Sequence, residues 1–136
     1  MAGHSGNWVR IRTLTPLEKA EIAERCDALI RDILVPRYLP QIRPTEWNYP
    51  VALFGKWRGS KYSFIARFRS GFKDNLGAEF EDGWARLDHD AESFDELRFH
   101  VMWHRHTGQW WPLHRSLALD EALAEIASDG ILRPPV

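Results

Sequence analysis

A chain of 136 residues suits one domain with a real hydrophobic core. Its net charge of −1 offers no general attraction to nucleic acid or anionic membranes, and no apolar run approaches the roughly 20 residues of a membrane span. The single Cys26 excludes an internal disulfide framework, which points to the reducing cytoplasm, and the seven tryptophans make the chain tryptophan-rich.

Residues 1–14 read as a flexible N-terminal arm without a hydrophobic leader, with Trp8 to Leu14 able to form a short strand. Residues 15–136 read as one α+β domain. Thr15-Pro16-Leu17-Glu18 is a helix start, with Thr15 as cap, Pro16 in the first turn and Glu18 completing a capping box. Ile22, Cys26, Leu29 and Ile33 form an apolar stripe, flanked by Ala23 and Ile30. Glu21 with Arg25 and Asp27 with Arg31 are expected to pair on the wet side. Pro36 is expected to end the helix near Leu34. The four prolines from Pro36 to Pro50 predict an extended connector pinned by Trp47 and Tyr49.

From Val51 the period changes to two. Val51 to Trp57 and Lys61 to Ser70 are strands joined at Arg58-Gly59-Ser60. Tyr62, Phe64, Ala66 and Phe68 share one face, and Lys61, Ser63, Arg67 and Arg69 the other. Ala78 to Asp90 is a third strand, with a bulge or turn at Asp82-Gly83. Leu97 to Arg105 and Trp110 to Arg115 form a hairpin. A three-residue loop with left-handed Gly108 sets the register. That register pairs Val101 with Leu113, Trp103 with Trp111 and His100 with His114, and places Trp103 and Trp111 in the core. Leu119 to Ser128 is a closing helix, with apolar residues at i, i+3, i+4 and i+7. The predicted fold is therefore an N-terminal helix, a five-stranded antiparallel meander and a C-terminal helix, both helices packed on one sheet face.

The other face carries the candidate binding residues Arg67, Arg69, Arg98, His100, His104, Trp110 and His114. Arg and Trp dominate interface hot spots, so this face suits a binding or self-assembly module. The expected partner is a second copy in a homodimer, another protein, or a small anionic ligand held by the arginines. The alternative is a metal- or histidine-dependent, hydrolase-like enzyme on the same face. His104-Arg105-His106 is an H-x-H, and His100 and His114 would face each other, with Asp88 or His104 as a third ligand. No complete metal signature, nucleophile elbow or cofactor fingerprint supports it, so no metal, catalytic residue or cofactor is assigned. Single-stranded nucleic acid is a second alternative, from the basic run Lys56, Arg58, Lys61, Arg67 and Arg69 interleaved with aromatics. Those aromatics are expected to point into the core, away from the arginines, which makes nucleic acid an unlikely partner.

The segments KWRGSKYSFIARFRSGF (56–72), EFEDGWARLD (79–88), MWHRHTGQWWPLHR (102–115) and LDEALAEIASDG (119–130) resemble those of a small bacterial domain family of unknown function. Trp103, Arg105 and Trp110 match its W-x-R…W hairpin. The resemblance implies a compact α+β domain and carries no activity.

Overall fold

The computed structural model describes residues 11–136. The expected strand at Trp8 to Leu14 falls partly outside these residues. Within them, the Arg12 N–H donates to Ala91 O at 2.8 Å, and Leu14 is buried in the core.

Helix α1 (Pro16–Leu29) begins as its sequence requires: Thr15 Oγ1 accepts from Glu18 N–H, and Glu18 Oε1 accepts from Thr15 N–H. The predicted stop at Pro36 is corrected. A π-helical turn (Ile30–Leu34) follows α1 and leads into α2 (Val35–Tyr38), with Pro36 in the first turn of α2. The Val35 N–H bonds to Ile30 O, five residues back. This wide turn opens the hydrogen-bond ladder ahead of Pro36 and relieves the clash that a proline ring causes in a regular helix. It also moves the stripe. Ile22, Cys26, Ile30 and Leu34 are buried, whereas Ile33 is 40% exposed, because the wider repeat favours steps of four. The expected ion pairs are also replaced. Arg25 pairs with Asp120 of α3, Arg31 with Asp32, and Asp27 accepts from Tyr62 Oη. In the proline-rich connector Tyr49 is buried, while Trp47 is 60% exposed and meets Phe72 edge-on.

Strands β1 (Asn48–Arg58), β2 (Lys61–Ser70), β3 (Glu79–His89), β4 (Phe99–His104) and β5 (Trp110–Leu117) form one antiparallel sheet in chain order. Gly59 and Ser60 alone turn β1 into β2, with Gly59 at φ +60°. Asp82-Gly83 lies at a bulge within β3: Phe64 faces Ala85, the next β2 residue Ile65 faces Gly83, and Trp84 is the extra residue.

The β4–β5 turn has the predicted form. Arg105 N–H bonds Gln109 O, Gly108 N–H bonds Arg105 O, and Gly108 has φ +85°. Trp103 faces Trp111. Trp103 packs against the core, but Trp111 is 51% exposed, contrary to its expected burial. It lies on the outermost strand beside the turn, with the Arg105 guanidinium 5.4 Å from its ring.

Helix α3 (Leu119–Ser128) covers the same sheet face as α1. Ile22, Cys26 and Leu34 share one core with Tyr62, Phe64, Leu87, Phe99, Val101, Ala122 and Ile126. Polar bonds tie helices to sheet: Trp57 Nε1 donates to Lys19 O at 3.0 Å, and Tyr62 Oη to Asp27. No helix among the described residues is long and apolar enough to cross a membrane.

Candidate functional site

The face of the sheet away from the helices is where strand alternation leaves polar side chains. Tyr62, Phe64 and Ala66 point into the core, so Lys61, Ser63, Arg67 and Arg69 point outward. Register then places Arg86 beside Ser63 and Met102 beside Arg86. A groove of about 620 Å³ opens on this face, lined chiefly by Arg58, Lys61, Ser63, Ile65, Arg86 and Trp110. Its rear is shaped by the β3 bulge. A Cβ on Gly83 would lie 3.5 Å from the Trp110 ring, so the small residue lets the indole lie close over β3.

Three cations (Arg58, Lys61 and Arg86) and one carboxylate (Glu81) line this groove, with Lys56, Arg67 and Asp88 at neighbouring strand positions beside it. Arg67 and Lys56 both bond Glu81, at 3.2 and 3.3 Å, and hold its carboxyl below the usual range, Arg67 most strongly. Arg86 is held by Asp88 at 2.6 and 2.8 Å. Arg58 and Lys61 have no acidic or hydrogen-bonding side-chain partner among the described residues, and both line the groove.

The predicted residues separate into four settings. Arg67 and Arg69 are occupied. Arg67 also lies 4.7 Å from the Phe54 ring, and Arg69 grips Glu79 Oε2 at 2.8 and 2.9 Å. His104 and Trp110 are stacked 4.6 Å apart, with the Arg86 guanidinium 4.5 Å from the indole. His104 Nδ1 lies 2.9 Å from Gly83 O, so that nitrogen carries the proton and donates. Arg98 and His100 both serve the backbone of Ser116: Arg98 donates to its carbonyl at 2.9 Å, and His100 Nδ1 accepts from its N–H at 3.0 Å. Ser116 Oγ donates to Asp90 at 2.9 Å. Among the described residues Ser116 is the only non-glycine with positive φ, at 54°.

His114 forms the fourth setting, and its expected pairing with His100 is corrected. The register slips beyond Pro112, so His114 rather than Leu113 stands opposite buried Val101. A one-residue slip moves a side chain to the other face. His114 therefore meets the end of α3, where Nε2 lies 2.9 Å from Asp129 Oδ2 and 3.2 Å from Glu125 Oε2. His100, His104 and His114 do not converge.

A family model for a domain of unknown function, DUF3024, matches residues 14–134. The chain belongs to this family. No match was found among curated proteins or among solved structures. Membership of the DUF3024 family agrees with the resemblance to a small domain family of unknown function.

Sequence reasoning missed Arg58 and Lys61 as candidate binding residues: Arg58 is read into the turn Arg58-Gly59-Ser60 and Lys61 onto the outward face of the second strand, and the pair enters only the basic run of the nucleic-acid alternative. The two-residue turn between them was the available signal, since it puts both on the outward face. Asp90, Ser116, Glu125 and Asp129 carried no local signal. Their roles arise from the bulges in β5.

Proposed function

We propose that the protein is a binding module whose site is the groove on the uncovered sheet face, and that its ligand carries a phosphate or carboxylate group. The observation that carries this reading is the pair Arg58 and Lys61, which open onto the groove without a neutralising partner among the described residues. Charge-assisted hydrogen bonds to an anion are the strongest contacts such side chains make. Ser63 and the Arg86 guanidinium add donors on the groove wall. The excess of cations disfavours face-to-face pairing of two copies, because it would bring like charges together. A small anionic ligand is therefore preferred over a homodimer through this face.

The other readings have less support. The histidines of a metal-dependent hydrolase lie in separate settings. The outward aromatics Phe54 and Trp110 are engaged by Arg67, and by His104 and Arg86, so neither is a bare platform for stacking bases. A cytoplasmic location suits buried Cys26, which has no pairing partner.

The test is calorimetric titration of the full chain with inorganic pyrophosphate and with citrate at two salt concentrations. Saturable binding of at least one probe is expected, weakened by salt and weakened by at least about 100-fold in Arg58→Ala/Lys61→Ala, each lost contact costing about 1.5 to 3 kcal/mol. Neither probe binding, or equal binding by the double variant, rejects the proposal. Sedimentation equilibrium decides the dimer: a monomer at all concentrations removes it.

A further inference from the structure

The last turn of α3 brings three ligand-type side chains together on the helix-covered side, away from the groove. Glu125 and Asp129 are four residues apart, one on the last helical turn and one at its C-terminal cap. Like charges at that spacing repel. Both also lie at the negative end of the helix dipole, and the last turn has no basic residue. Locally, the sequence places negative charge where a helix tolerates it least. The group that meets these two carboxylates comes from outside the helix.

His114 of β5 supplies one ligand to that place. Each of the three side chains offers a ligand atom within 4.8 Å of the other two, and His114 Nε2 lies 2.9 Å from Asp129 Oδ2 and 3.2 Å from Glu125 Oε2. Donors bound tetrahedrally to one zinc ion at about 2.0 to 2.2 Å lie roughly 3.3 to 3.6 Å apart, so the His114–Glu125 separation is already near that of a shared ion and the His114–Asp129 one would open by about half an ångström. The carboxylate is also oriented. Asp129 Oδ1 accepts the Ile131 N–H at 2.9 Å, which leaves Oδ2 facing the imidazole. Such outer bonds fix metal ligands. The three side chains are 28%, 38% and 19% exposed, so an ion and its water can enter.

We propose that His114 Nε2, Glu125 Oε2 and Asp129 Oδ2 form a binding site for a divalent transition metal of the zinc class. One imidazole with two carboxylates suits such borderline ions better than magnesium or calcium, which take oxygen ligands. Three protein ligands leave at least one position for water. The competing occupant is a proton: an imidazolium between two carboxylates would hold the same atoms at similar distances.

The test uses tag-free full-length protein, freed of metal with EDTA and titrated with ZnCl2 by calorimetry and with CoCl2 by visible absorption. The expected result is one ion per chain, with cobalt d–d bands that zinc bleaches and excess MgCl2 leaves unchanged. His114→Ala and Glu125→Gln are each expected to weaken binding by about tenfold or more. Glu125→Gln removes one charge from an exposed helix surface and keeps the test valid if His114→Ala fails to fold. No saturable zinc binding by the wild-type chain leaves the proton as occupant and overturns the proposal. Binding unchanged in Glu125→Gln, or equal displacement by magnesium, overturns it as well.

Discussion

Gly55→Ala is expected to be among the most damaging single changes in the sheet. Gly55 faces Phe64 across β1 and β2, and the ring of Tyr62 lies over it. A Cβ there would stand 2.2 Å from Tyr62 Oη, 2.4 Å from Cε1 and 2.5 Å from Cζ. Ordinary carbon contacts are about 3.5 to 4.0 Å, so the ring must retreat by more than about 1 Å. It has little room, since Trp57 and Phe64 each meet it edge-on with centroids 5.4 Å away, and Tyr62 is 1% exposed. Retreat also breaks the bond from Tyr62 Oη to Asp27, which joins α1 to the sheet. Overpacking costs about 1 to 3 kcal/mol, and losing a hydrogen bond to a charged acceptor about 1.5 to 3, giving about 3 to 6 kcal/mol together. That is a large share of the roughly 5 to 15 kcal/mol typical of a domain. Urea unfolding followed by far-ultraviolet circular dichroism would show the midpoint falling at unchanged slope. Tyr62→Phe, which removes only the hydroxyl, should lose about half as much. In a Tyr62→Ala background the Gly55→Ala change should cost under about 1 kcal/mol, because the clash is gone. A cost below about 1 kcal/mol in the wild type, or an undiminished cost in the Tyr62→Ala background, would refute the reasoning.

Alkaline stability should depend on two buried acids. Burial pushes the Cys26 thiol up to about 12 from its ordinary 9.0, and burial, then the bond to Asp27, raises the Tyr62 phenol. Both folded-state values exceed the unfolded ones, so their stabilisation is whole below about pH 9 and declines as pH rises, when the unfolded chain ionises first. Unfolding midpoints from pH 8 to 11 should fall more steeply for the wild type than for Cys26→Ala/Tyr62→Phe. Acid acts through His89, whose Nε2 is buried without a hydrogen-bond partner among the described residues. Burial, then Arg12, lowers its folded value, with Asp90 and Glu18 opposing. Its contribution is therefore whole above its ordinary 6.5 and declines below that, and His89→Leu should flatten the loss between pH 6.5 and 5. At the β5 bulge, Ser116→Gly should be more stable than Ser116→Ala by about 1 to 2 kcal/mol, since both lose the bond to Asp90 but only glycine removes the left-handed strain. Equal unfolding midpoints for those two variants would show that the φ of Ser116 carries no strain.

Periodicity and turn chemistry alone determined most of the fold. The capping box at Thr15, the alternation in β2, the left-handed Gly108 and the stripe of α3 are local features, each readable within a few residues. They specify which faces are apolar, and hence a meander with both helices on one side. The tertiary structure decided the rest, at the places where regular repeats break. A π turn carried the first helix through Pro36 and shifted its buried stripe. The slip beyond Pro112 moved His114 to the helix-covered side, and the second slip in β5 gave Ser116 its backbone. An inserted residue reverses every later side chain, and whether a strand inserts one depends on packing across the sheet. Partners were hidden for the same reason. Arg67, Arg69 and Arg98 drew notice as cations, yet Glu81, Glu79 and Glu96 engage them, and Arg58 and Lys61 at a tight turn are left facing the groove.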